Sequence, residues 1–194
     1  MRLEVWKSEL HFDSVAPCPS SLSQLRSTFN ADPPLPEEHR DLLIYCTRRN
    51  AGDRQVVNED EVLKAVSDLV SDQPHLQLYT FTGEESVQDT IQLFRRAKVV
   101  TGMHGAGLSH IAFSAPGTAV IELLFMNDPP MMFWHASGAL SLQYFMVPLA
   151  QSWWLEKSIT VSPQDVRDAV ALAIGTPAGA CPLGKILESQ KSRP

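Results

Sequence analysis

An α/β fold is what this sequence predicts: a Rossmann-like, mostly parallel sheet with helices on both faces. Three observations carry that reading. Short apolar runs rich in strand formers alternate with segments of helical period across residues 41–180. The runs hold few polar interruptions, as in strands buried on both faces. The helical segments begin at capping residues, Asn58, Ser86 and Ser162, so each has a defined start.

Taken in order, residues 1–40 read as a Pro-rich lead-in, punctuated by Pro17, Pro19, Pro33, Pro34 and Pro36, with one helix-like stretch at 20–29. The first strand is Leu42-Leu43-Ile44-Tyr45-Cys46. Asn58 with Glu61 three residues on predicts a reciprocal capping box. Val62, Val66, Leu69 and Val70 then share one helix face. A second strand covers 76–81, and Ser86 opens a helix whose buried stripe is Val87, Ile91 and Phe94. A third strand, 98–101, runs straight into Gly102-Met103-His104-Gly105-Ala106-Gly107 and a short helix. Pro116-Gly117 turns the chain into a fourth strand, 119–124, and 142–147 is a candidate fifth. The last helix has Pro163 in its first turn and Gly175 and Pro177 at its stop. Residues 181–194 read as a tail.

Composition removes several classes of function. With 44% hydrophobic and 20% charged residues in 194, the chain is globular rather than disordered. A formal net charge of −6 argues against a non-specific grip on nucleic acid or anionic lipid. No apolar run approaches the roughly 18 residues of a membrane span. Arg2, Glu4 and Lys7 stand where a signal peptide needs its apolar stretch, so the sequence itself assigns no location. The three cysteines lack the short spacings of zinc or redox motifs. Cys46 reads as a small core residue, and whether Cys18 and Cys181 pair is left open.

Three places hold candidate chemistry. After the third strand, Gly105, Ala106 and Gly107 form a small-residue loop opening a helix, where backbone amides and the helix dipole favour an anion such as a diphosphate. His104 at its lip is either a phosphate donor or proton shuttle, or a hydrogen-bonded histidine buried in a tight turn. After the first strand, Arg48-Arg49-Asn50-Ala51-Gly52-Asp53-Arg54 brings planar guanidinium forks to a strand's carboxyl end, or is simply a solvated loop. Asn58 and Glu59 read as capping and dipole compensation. Glu122, between Ile121 and Leu123, must face a cleft, a partner or solvent, because an unpaired buried charge is costly. His110 has no metal-ligand spacing with His104. Ser109 and Ser114 lack a nucleophile elbow, and the Met131–Trp134 and Trp153-Trp154 runs read as core or interface packing before the lining of an acceptor groove.

Together these stretches resemble glycosyltransferase family 61, which includes EGF-domain-specific and protein O-mannose N-acetylglucosaminyltransferases and plant xylan glycosyltransferases. The resemblance rests on Arg48, on Arg54 with Val56-Val57-Asn58-Glu59, on His104-Gly105-Ala106-Gly107-Leu108, and on Pro116-Gly117 followed by Glu122, and it covers about 42–148. It implies the carboxy-terminal, donor-binding domain of a two-domain GT-B enzyme, an inverting transfer from a UDP-sugar to a hydroxyl of a protein or polysaccharide, and no metal or other cofactor. By position, Arg48 and Arg54 would contact the donor diphosphate, and His104, Gly105, Ala106 and Gly107 would line its site. Glu122 would hold the ribose, and His104 is the one local candidate for a catalytic base. Relatives carry a further amino-terminal domain and work in the Golgi or endoplasmic reticulum lumen. A non-catalytic donor-binding module that needs a partner domain is the alternative. An unrelated Rossmann-type enzyme that tolerates loss of Arg48 and Arg54 is a third reading.

Overall fold

A computed structural model describes residues 18–126, 129–149 and 157–175. Within them, the apolar runs become five parallel strands: β1 (Leu42–Cys46), β3 (Gln77–Phe81), β4 (Ala97–Met103), β5 (Ala119–Phe125) and β6 (Gln143–Leu149). They lie in the order β3-β1-β4-β5-β6. A two-stranded parallel ladder, β2 (Gln55–Val56) with β7 (Ser158–Ile159), stands beside them. The helices are α1 (Pro19–Thr28), α2 (Glu59–Ser71), α3 (Val87–Arg95), α4 (Met132–Ala139) and α5 (Pro163–Gly175). The expected α/β fold is therefore the observed one.

The continuous apolar runs are explained by two cores, one on each face. Leu43, Tyr45, Val99, Ile121 and Val147 point to the face covered by α2 and α5. Leu42, Ile44, Cys46, Val100 and Val120 point to the other, beneath α3, α4 and a 3₁₀ helix over Ala106–Phe113. Alternation within an all-apolar strand feeds both layers, so neither face tolerates a charge without a partner.

The strand order creates the site. From β1 the chain goes outward to β3, then crosses back over β1 to β4 and continues the other way. The connections leaving β1 and β4 thus diverge, opening a crevice at their carboxyl ends, where doubly wound sheets hold ligands.

Several local expectations are corrected. The short helix that follows Gly105 is 3₁₀, and Val87, read into the buried stripe of α3, is 67% exposed. Ser86 and Ser162 do cap, accepting from the Asp89 and Asp165 amides at 3.1 and 3.2 Å. Asn58 occupies the cap position of α2 but makes no side-chain cap bond, and Glu61 is exposed. The Asn58 side chain donates instead to the Val161 carbonyl at 2.7 Å and accepts from its amide at 3.0 Å. It acts as one more rung of the β2–β7 ladder, a pairing that outweighs a local cap because it satisfies two backbone groups at once. The described part of the lead-in packs on the 3₁₀ helix and into the core below it. Arg26 is 6% exposed and donates to the Ser114 carbonyl at 2.7 Å, and Ala31 is fully buried. Cys46 is buried, as expected of a core residue. Cys181, Pro177, Trp153, Trp154 and the 181–194 tail lie outside the described residues.

Candidate functional site

A cleft of about 350 Å³ opens at the carboxyl ends of β3, β1 and β4. Cys46, Thr47 and Arg48 line it from β1, Phe81, Thr82 and Gly83 from β3, and Met103, Gly105, Ala106, Gly107 and His110 from β4 and the turn after it. The strands meet so closely here that side chains are excluded. A Cβ on Gly102 would stand 2.8 Å from the Cys46 carbonyl oxygen, and one on Gly107 3.3 Å from the Cys46 Cβ. A Cβ on Gly105 would collide with the Arg48 guanidinium. Gly105 is thus a glycine for close approach: it lets a cation lie directly against the backbone of the small-residue loop.

The arginine loop is built to hold that cation. Glu59, 3% exposed at the start of α2, accepts from Thr47 Oγ1 at 2.8 Å on both oxygens and from Arg49 Nε at 3.1 Å. Thr47 Oγ1 in turn accepts from the Arg49 amide at 3.1 Å. Arg48 donates to the Asp53 carbonyl at 3.1 and 3.3 Å and pairs with the Asp53 carboxylate. Arg54, in left-handed backbone at φ 53, reaches across to the His104 carbonyl at 2.8 Å. Arg48 and Arg54 are therefore brought to one place, with side chains 15% and 16% exposed. Burial, and then the nearby Arg54 charge, pull the Arg48 guanidinium below its ordinary value. Arg49 turns away, to Glu59 and Asp60.

His104 and Glu122 are brought together on the opposite side of the loop. In the parallel register Gly102 faces Glu122, so His104, two residues on, lies over the same face of the sheet. His104 Nδ1 and Glu122 Oε1 are 2.5 Å apart, and Tyr144 donates its hydroxyl to Glu122 Oε2. The His104 ring packs on Phe133 of α4, centroids 5.2 Å apart. Glu122 is fully buried, with both oxygens taken, and His104 is 6% exposed. Burial, and then the Glu122 charge, push the Tyr144 phenol well above its ordinary value. Of the two sequence alternatives for His104, the ring is in the hydrogen-bonded, buried position, while its carbonyl serves the arginine loop.

His110 is the cleft residue that sequence reasoning passed over. Its ring meets Phe81 edge-on at 5.3 Å and tilts against Phe94 at 5.4 Å. Desolvation holds it below the ordinary value of 6.5, against the pull of Glu85. Its distance from His104 carries no signal; its place three residues after Gly107 on the 3₁₀ helix, and so on the same face, does. Among the described residues no group of three or more His, Cys, Asp or Glu side chains is placed to hold a metal ion. No helix among them is long and apolar enough to cross a membrane.

These features define a Rossmann-like domain whose switch-point cleft is basic on one wall and bare backbone on the other. The model of the glycosyltransferase 61 family matches residues 6–121, more than half of the chain, and the chain belongs to that family. The match begins well before β1, in keeping with the packing of α1 on the 3₁₀ helix and of Ala31 in the core. Over 96 residues the chain is 33% identical to the EGF domain-specific O-linked N-acetylglucosamine transferase of Drosophila melanogaster, covering 48% of this chain and 17% of that protein. The Mus musculus protein of the same description is 27% identical over 85 residues, 44% of this chain and 16% of that one. A beta-1,2-xylosyltransferase of Arabidopsis thaliana is 31% identical over 67 residues, 34% of this chain and 12% of that one. The matches thus span 17% or less of the length of these curated relatives.

Proposed function

We propose that this chain is the donor-binding part of an inverting glycosyltransferase that takes its sugar from a UDP-sugar and passes it to a hydroxyl of a protein or polysaccharide. One observation carries the reading: two half-buried guanidinium groups converge on the glycine loop at the switch point of the sheet, where Gly105 leaves room for Arg48. A diphosphate suits that place, because guanidinium forks and backbone amides are oriented before it arrives.

In the reaction, the acceptor oxygen attacks the anomeric carbon as the bond from that carbon to the β-phosphate oxygen breaks. The acceptor proton goes to a base and the negative charge to UDP. Arg48, Arg54 and the amides after Gly105 stabilise that charge where it develops. His104 organises the loop: its carbonyl receives Arg54 and its ring is locked on Glu122. Its 6% exposure favours this role over that of the base. A ribose contact by Glu122 would require it to share oxygens already taken by His104 and Tyr144. The neutral wall of Phe81, Thr82 and His110 extends the cleft beyond the phosphates.

Binding without transfer is a second reading, favoured because, among the described residues, the cleft is lined from the carboxyl ends of one sheet. Calorimetric titration with UDP in EDTA tests the donor site, and a transfer assay separates the two readings. Wild-type protein is expected to bind UDP in preference to AMP. Arg48→Ala, losing charged hydrogen bonds, is expected to weaken UDP by at least about tenfold, and Gly105→Ala by a similar factor through displaced Arg48. Unchanged UDP affinity in both folded variants would falsify the site.

A further inference from the structure

The two arginines already face an anion, and the chain itself supplies it. The Asp53 carboxylate pairs with Arg48 Nη2, and Arg54 Nη2 lies 3.4 Å from each of its oxygens. Two cations held this close repel each other, and Asp53 offsets the repulsion. Although partial desolvation raises its carboxyl, Arg54 and then Arg48 hold it below its ordinary value of 3.8, so it is ionised at neutral pH.

Asp53 is nonetheless badly placed for a structural partner. Its side chain is 58% exposed, while those of Arg48 and Arg54 are 15% and 16% exposed. Glu59, the carboxylate that holds the same loop from beneath, is 4% exposed and saturated with donors. The contacts of Asp53 to Arg54, at 3.4 Å, are also long for charge-assisted hydrogen bonds. The Asp53 pair with Arg48 is close, but so exposed a carboxylate is replaceable by an anion that engages both guanidinium groups. Its backbone carbonyl makes separate bonds to Arg48, so the loop keeps its shape when the side chain swings into water.

We propose that Asp53 is an internal counter-ion that occupies the anion site until a ligand phosphate displaces it, and so sets the charge a ligand must bring. This rests on the donor reading above. A diphosphate carries more charge and more acceptor oxygens than one carboxylate, and satisfies both guanidinium groups at once. A weakly charged ligand gains too little to displace Asp53.

The test is Asp53→Asn, which removes the charge and retains size and backbone carbonyl, with Asp53→Ala beside it to remove any bond the amide makes to Arg48. Each protein is titrated with UDP, inorganic diphosphate and uridine at two salt concentrations, with its melting curve recorded. Both variants are expected to bind UDP and diphosphate about two- to fivefold more tightly than wild type, with a steeper fall of affinity in salt and no gain for uridine. Equal or weaker UDP binding by the variants, while wild type binds, overturns the counter-ion role and leaves the donor reading standing. A gain that uridine shares equally overturns it too. Failure of UDP to bind wild type and variants alike overturns the donor reading, and this proposal with it.

Discussion

The arginine loop and the glycine loop meet at one cleft, and each stands on a buried carboxylate, but the two are held in opposite ways. Glu59 lies under the arginine loop and has a way out: among its partners is Arg49, whose side chain is 56% exposed. Glu122 lies under the glycine loop with no such outlet, fully buried between His104 and Tyr144. A carboxylate with a partner that reaches water can be lost at moderate cost, since water takes over that donor, even though the buried Tyr45 hydroxyl, which also bonds to Glu59, is left without its acceptor. One sealed inside leaves its donors stranded. The arginine loop is therefore the adjustable half of the site and the glycine loop the rigid half.

The largest effect should follow from Glu122→Ala. It strands the buried His104 ring, takes the acceptor from the part-buried Tyr144 hydroxyl, and is expected to cost about 3–5 kcal/mol in denaturant unfolding. Glu59→Ala is expected to cost less, about 1–3 kcal/mol, while weakening UDP binding through loss of order at Thr47 and Arg48. Equal losses of stability from the two substitutions would break the contrast. A Glu59 variant that loses stability but keeps full UDP affinity would show that the loop does not depend on its carboxylate.

The rigid half was the more legible in sequence. A glutamate inside an apolar strand announces that it needs a partner, and a glycine-rich turn straight after a strand announces close approach. What sequence could not say is which partner Glu122 has, because His104 is brought to it by register between β4 and β5. The adjustable half was misread for a related reason. Asn58 has the composition of a cap, yet it bonds to Val161, 103 residues away. The strands it extends, β2 and β7, are two residues each, too short for any hydrophobic period. The helix α4 opens at Met131 without a side-chain cap, so the Met131–Trp134 run shows no helix start in sequence. Spacing from His104 says nothing of His110, because its place depends on Phe81 and Phe94, from a neighbouring strand and helix.

Asn58→Ala sharpens the comparison at a smaller scale. It removes two hydrogen bonds to one residue and is expected to cost about 1–2 kcal/mol. Because those bonds tie the end of the arginine loop to the segment just after β7, its effect on UDP affinity should exceed that of a substitution at the exposed Glu61, such as Glu61→Ala. Parallel titration of the two variants measures the difference.

The smallest effect is one of pH, and it separates the neutral wall of the cleft from its charged one. His110 is held below 6.5 in the folded chain, chiefly by desolvation. The unfolded chain therefore binds a proton at a higher pH than the folded one. The stability that follows is complete above about 6.5 and is lost as pH falls from there toward the folded value. His110→Phe keeps an aromatic ring against Phe81 and Phe94 but cannot take the proton, so its stability should fall less than that of wild type on going below pH 6.5. Asp41 supplies the control. Its hydrogen bond from Arg96 holds its carboxyl below 3.8, so its contribution is lost only at lower pH, and Asp41→Asn should flatten that later part of the acid limb alone. Unfolding free energies of the two variants, followed from pH 7 downward, decide the matter. If His110→Phe and wild type fall in parallel between pH 6.5 and 5, the imidazole is not desolvated, and the wall beside the arginines is wetter than its packing implies.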